Sequence, residues 1–173
     1  MVAITRDGRW LRYTGPLSRL LDDSYLQEGC TPCSLCLDRG SRQLLLPGGV
    51  RESFDAAFPV LHGKNGEDGT VQGLLELCGV PLIGCGCLSS ALCMDKDRAH
   101  KIAALSGIAV PRGTVFRQGD PEDAMEAAAA AIGYPLFVKP VRAGSSVGIS
   151  MVNGPSRLRK AVASAFAHDR EIL

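Results

Sequence analysis

The sequence predicts an α/β chain in two parts, and three observations predict it. From Phe54 to Ile83 an apolar stretch, a glycine-rich loop, a helical periodicity and a second apolar stretch follow one another, which is the order of a βαβ unit. From Asp95 to Ala167 helix-like and strand-like segments alternate a second time. Hydrophobic residues make up 46% of the 173 positions, enough to bury one large core or two small ones.

Taken in order, Val2 to Tyr13 holds two short extended runs around Arg6-Asp7-Gly8-Arg9, and Asp-Gly tolerates the positive φ of a hairpin turn. The stretch to about Ser41 lacks periodicity and reads as loop, with one helical turn near Leu17 to Leu21. Phe54 to Leu61 is apolar enough for a buried strand that stops at His62-Gly63. Val71, Leu74, Leu75 and Cys78 share one helical face, with Asp68 placed to cap the start and Gly79 to end it. Val80 to Ile83 is strand-like, so the crossover should be right-handed with its ligand side beyond the carboxyl end of the first strand.

The second part opens near Ser89. Asp95 to Ser106 groups Ala99, Ile102 and Ala103 on one helical face and ends at Gly107. Thr114 to Phe116 is a strand candidate. Asp120-Pro121 starts a helix with a capping carboxylate, and that helix runs to Ile132 and Gly133. Leu136 to Lys139 is a short strand, Gly144 to Gly148 a loop, and Ile149 to Val152 the returning strand. Pro155 opens a helix to about Ala167. Glu171-Ile172-Leu173 looks like the first half of a strand with an unpaired edge, from which a fragment is expected.

Nineteen lysines and arginines face 18 acidic residues, so a net charge of +1 supplies no general field for nucleic acid or an anionic membrane. Any anion site must be local. No apolar run approaches the roughly 20 residues of a membrane helix, and the start lacks a signal-peptide pattern, so a cytoplasmic protein is expected. Seven cysteines argue against a disulfide framework. Cys30, Cys33 and Cys36 have metal-compatible spacing, but a zinc site needs a fourth ligand, and packing as small hydrophobes is the preferred reading.

Three segments carry chemistry. Phe137-Val138-Lys139-Pro140 ends a strand on a lysine, whose ammonium is costly there unless it meets an anion. The adjoining Gly144-Ser145-Ser146-Val147-Gly148 offers glycines that would let successive amides face one anion, plus two hydroxyl donors. His62-Gly63-Lys64-Asn65-Gly66-Glu67-Asp68-Gly69 lies at a strand-to-helix turn, where open α/β sheets place ligand contacts. A histidine there could orient a carboxylate. Lys96, at a helix start, could reach a phosphate, although from the residues alone a solvated lysine beside acidic neighbours is the preferred reading. No role is read into Val141-Arg142-Ala143.

The pieces HGKNGEDGTVQGLLELCGVPLIG, SSALCMDK and YPLFVKPVRAGSSVGIS together resemble the signatures of the D-alanine–D-alanine ligase family. Lys64, Gly84-Cys85 and the Ser89 to Cys93 run resemble its vancomycin-resistance branch, which makes D-alanyl-D-lactate. The resemblance implies an incomplete Rossmann-like pre-ATP-grasp lobe over 1–93 and the central α+β lobe of an ATP-grasp fold over 94–173, with the C-terminal lobe missing. It implies that ATP is bound by Lys96, Lys139, Gly144, Ser145, Ser146, Val147 and Gly148, and substrate by His62, Lys64, Glu67 and Asp68. The catalytic residues expected within this chain are Ser145 and His62. No metal ligand is expected here, the Mg²⁺ carboxylates of the family lying beyond Leu173.

The implied reaction phosphorylates the carboxylate of D-alanine with ATP, and the amine of a second D-alanine or the hydroxyl of D-lactate then attacks the acyl phosphate. The chain alone is expected to be inactive. The family is commonly dimeric, which leaves a homodimer open for the full-length protein. Rival readings are another ATP-grasp carboxylate–amine ligase, a non-catalytic nucleotide-binding module, and a metal protein built on the three cysteines.

Overall fold

The computed structural model describes residues 1–20, 24–26 and 28–173. The chain forms two compact units, one of Met1–Phe58 with Leu74–Ile83 and one of Pro59–Gly73 with Gly84–Leu173.

In the first unit, β1 (Val2–Ile4) and β2 (Trp10–Tyr13) form the expected antiparallel hairpin, with Gly8 in its turn at φ 83°. The stretch to Ser41, expected as loop, contains two more strands. β3 (Cys30–Pro32) adds to β2, and β4 (Ser34–Leu35) starts a second antiparallel sheet with β5 (Gln43–Leu45) and β6 (Arg51–Ser53). Strands this short carry too little alternation to be seen in a sequence window. A 3₁₀ turn spans Leu17–Leu20; Leu21, the last residue expected in it, lies outside the described residues.

Tyr13 is buried, its hydroxyl donating to the Pro16 carbonyl at 2.8 Å. The Arg12 guanidinium grips the Glu52 carboxylate through Nε and Nη2 at 2.8–2.9 Å, tying the two sheets of this unit together. Cys30 Sγ donates to the Tyr25 carbonyl at 3.1 Å, and Cys36 is buried beside Asp38.

Phe54 to Leu61 is not the buried strand expected. Phe58 and Val60 are 68% and 70% exposed, and one parallel bridge joins Ala57 to Leu82. Pro59 withholds a backbone donor and pushes Phe58 towards extended but unpaired backbone. The helix that follows, α1 (Thr70–Leu77), matches its periodicity and ends at Gly79, φ 68°.

In the second unit, α2 (Cys87–Met94) and α3 (Lys96–Leu105) meet at Asp95, whose side chain caps α3 by accepting from Arg98 N at 3.0 Å. β7 (Phe116–Arg117) leads to α4 (Glu122–Ile132). Asp120 does not cap α4: its carboxylate accepts from Arg117 N at 2.7 Å, closing the turn after β7, and Pro121 is the N-cap. β8 (Leu136–Val138) and β9 (Ser150–Val152) pair antiparallel, and a 3₁₀ turn at Pro155–Arg157 leads into α5 (Leu158–Phe166).

β10 (Glu171–Ile172) is paired on both sides, contrary to the open edge expected. It lies antiparallel to β7, and Leu173 exchanges two backbone bonds with Lys139 at 2.8 and 2.9 Å. The partner strand is some fifty residues away in sequence, so no local pattern announces it. One layer therefore runs β9, β8 with its extension to Val141, β10, β7. Leu136, Val138, Val152 and Ile172 on one face pack with Ala129 of α4 and Leu158, Ala161 and Ala165 of α5. Alternation sends Phe137 and Met151 to the opposite face, where they are 58% and 54% exposed.

Candidate functional site

Lys139 follows Phe137 by two positions, so the strand carries it to that same open face. Its backbone is clamped to Leu173 in both directions. Lys96 arrives from the start of α3: its Nζ donates to the Ala143 carbonyl at 2.5 Å and the Val141 carbonyl at 3.3 Å, and its backbone N donates to Val141 O at 3.2 Å. Burial and then the Lys139 ammonium push Lys96 below the ordinary lysine value, against the pull of Asp169 and Asp95. Two cations thus share one corner beside the glycine–serine loop, an arrangement that an anion would relieve.

The Val141–Ala143 linker, silent in the sequence, holds that corner. Val141 is fully buried. Arg142 binds Asp169 through Nη2 at 2.8 Å and through its backbone N at 2.7 Å, and reaches Glu171 at 2.9 Å and Asp95 at 3.7 Å through Nη1. Asp95 also accepts from Arg98 Nη1. Burial would raise the Asp169 carboxyl, but the bonds from Arg142 and from the Arg142 and Glu171 amides outweigh it and hold the group below its ordinary value. The network locks the N-terminus of α3 to the strand extension, and so fixes Lys96 relative to Lys139.

In the loop itself positive φ falls on both serines as well as on Gly148, with Ser145 at 48° and Ser146 at 60°. Val147 N donates to Gly144 O at 3.1 Å, closing a turn around these two exposed residues. Gly148 does need to be glycine: φ is 71°, and a Cβ there would stand 2.7 Å from the His168 ring and 2.8 Å from Pro140 Cγ. A Cβ added at Gly144 would meet only ordinary contacts, 3.5 Å to Gly63 Cα and 3.7 Å to Glu67 Oε2. The substrate-loop candidate therefore lies beside the phosphate-loop candidate at this point.

Within that loop, Glu67 Oε2 accepts from Gly63 N at 2.6 Å and Oε1 stands 3.9 Å from His62 Nδ1, while the His62 side chain is 78% exposed. Asp68 spends its carboxylate on backbone, accepting from Asn65 N at 2.8 Å and Thr70 N at 3.1 Å. Burial opposes ionisation of Asp68, and these amides more than compensate, lowering its value. Lys64 and Asp68 line a cavity of about 600 Å³ shared with Leu92, Arg142, His168 and Asp169.

Sequence reasoning missed the Arg142 network, Phe137 and Met151. The alternation Leu136-Phe137-Val138-Lys139 could have revealed Phe137, whereas nothing local pairs Arg142 with Asp169.

The fold is that of a class, the ligases of ATP-grasp architecture: the crystal structure of VanG D-Ala:D-Ser ligase from Enterococcus faecalis has a TM-score of 0.88 and 46% identity, over 99% of this chain and 50% of that one. Residues 1–85 match the family model described as D-ala D-ala ligase N-terminus, and residues 102–173 the one described as D-ala D-ala ligase C-terminus. The chain belongs to the D-alanine–D-alanine ligase family. It is 43% identical over 181 residues to a D-alanine–D-alanine ligase of Caldicellulosiruptor bescii, covering 99% of this chain and 49% of that relative. To the vancomycin B-type resistance protein VanB of Enterococcus faecalis it is 39% identical over 178 residues, covering 99% and 48%. The chain thus spans about half the length of the curated relatives it matches.

Proposed function

We propose that this chain supplies the substrate loop and the phosphate-holding lobe for ATP-dependent ligation of D-alanine to D-alanine or D-lactate. D-serine joins the acceptors to be tested because of the likeness to the VanG enzyme. The observation that carries the reading is the pair Lys96 and Lys139, whose charges oppose each other beside the Ser145–Ser146 turn. Two crowded ammonium groups next to hydroxyl donors fit a polyphosphate, and Phe137 and Met151 offer an apolar platform on the face that Lys139 shares. We place the division between the substrate lobe and the nucleotide lobe near Cys93, and the protein in the cytoplasm, with a homodimer possible for the full-length protein. No helix among the described residues is long and apolar enough to cross a membrane.

In the proposed reaction a carboxylate oxygen of D-alanine takes the γ-phosphoryl group of ATP, leaving ADP. The acceptor amine or hydroxyl then attacks the acyl carbon, loses its proton and expels inorganic phosphate. Lys96, Lys139 and the Ser145 and Ser146 hydroxyls hold phosphate oxygens in line. His62, with Lys64 and Glu67 beside it, orients the first D-alanine. Mg²⁺ accompanies ATP in this proposal, but among the described residues no three His, Cys, Asp or Glu side chains stand together to hold an ion.

Calorimetric titration of ATP into the chain tests the nucleotide half: K139M should weaken binding at least tenfold, and absence of binding by the wild type overturns the reading. In a ligase completed to the length of its relatives, dipeptide or depsipeptide product measured by mass spectrometry with each acceptor tests the other half, and failure with every acceptor refutes it.

A further inference from the structure

We infer that Gln72 is a positioning residue for the substrate loop, an inference that rests on the functional reading above. Gln72 lies in the first turn of α1 and is 6% exposed. Its Nε2 donates to the Gly66 carbonyl at 2.8 Å, and its Oε1, buried, has no hydrogen-bond partner among the described residues. A side chain selected only to fill this space would be a leucine or a methionine, without a stranded acceptor. The retained amide is explained by the carbonyl it holds.

That carbonyl is the pivot of the loop. Gly66 is buried and folded back on the chain ahead of it, so close that a Cβ would stand 2.6 Å from Leu61 Cβ and 3.3 Å from His62 N. Gly66 N and Glu67 N both donate to Gly63 O, at 3.2 and 2.9 Å, and the Glu67 carboxylate returns to Gly63 N at 2.6 Å. Every one of these bonds joins the turn to itself. The Asp68 bond to Thr70 fixes only its trailing end. Gln72 is the side chain of α1 that ties the middle of the turn to the helix, and His62 and Glu67 take their places from the turn it holds.

The test uses Q72M, which keeps the volume and loses the donor, and Q72E, which keeps shape and polarity but cannot donate to a carbonyl when ionised. In the chain, amide hydrogen exchange at Glu67 should accelerate at least tenfold in both variants, while amides of β8 and α5 exchange as in the wild type. In the completed ligase, KM for the first D-alanine should rise about fivefold or more with KM for ATP within twofold. Unchanged protection at Glu67 overturns the inference, as does a loss shared by all amides or an equal rise in both KM values. Exchange needs no turnover, so a wild type that neither binds ATP nor makes product sinks the functional reading while the exchange result still decides the role of Gln72.

Discussion

Lys96 Nζ donates to the carbonyl of Ala143 at 2.5 Å, so the first residue of α3 is bonded to the residue that precedes the glycine–serine loop. The contact sets an ammonium beside Lys139 with no carboxylate ion-paired to it among the described residues, and the acids that attract it, Asp169 and Asp95, are bound by Arg142 and Arg98. An anion in the loop would complete what the protein leaves open.

Replacing this lysine by methionine should therefore weaken ATP binding by about tenfold or more near neutral pH. Because the folded-state value of Lys96 is lowered, the affinity of the wild type should fall as pH rises through that value, and K96M should lose this alkaline limb. The stability of the ligand-free chain has the opposite slope. Between the lowered value and 10.5 the unfolded chain holds the proton more tightly, so stability rises with pH across that window. Titration calorimetry and urea denaturation across the alkaline range read the two slopes, and parallel slopes would contradict the assignment.

The two ends of the loop should respond differently to an added methyl. At Gly148 a Cβ would clash with His168 and Pro140 in a left-handed backbone, so G148A should cost about 2–4 kcal/mol. At Gly144 the space is ordinary and φ is not positive, so G144A should stay within about 1 kcal/mol of the wild type. Thermal melts of the two variants make the comparison.

Ser145 and Ser146 adopt backbone angles that glycine would adopt more easily. The double variant S145G/S146G should gain up to about 1 kcal/mol of stability and lose about tenfold in nucleotide affinity with its hydroxyls. A gain in both quantities would show that the hydroxyls are not ligands.

The Arg142–Asp169 pair should make the second unit sensitive to acid. With the Asp169 value held below 3.8, its contribution is complete above that pH and is lost as pH falls through the lowered value. Arg142 is 41% exposed, so solvent screens the pair, and D169N should cost only about 1–2 kcal/mol at pH 7 while flattening the acid limb. Urea midpoints between pH 3 and 7 would show whether the limb persists.

The sequence by itself determined the elements whose instructions are local. The Asp7-Gly8 hairpin, the helical face from Val71 to Cys78, the helix expected over Asp95 to Ser106 and the β8–loop–β9 hairpin all formed where their residues specify them. The grouping of the His62–Asp68 and Gly144–Gly148 motifs into one family signature was legible for the same reason, since each motif is contiguous. Tertiary structure decided what depends on distant partners. It left Phe54–Leu61 almost unpaired and paired Glu171–Ile172 with Phe116–Arg117. It set Gly63 against Gly144 and surrounded Arg142 with Asp95, Asp169 and Glu171. Local sequence fixes backbone preference within a few residues, whereas the place of a charge or a strand edge follows from which buried surfaces meet, and residues far apart in the chain settle that together.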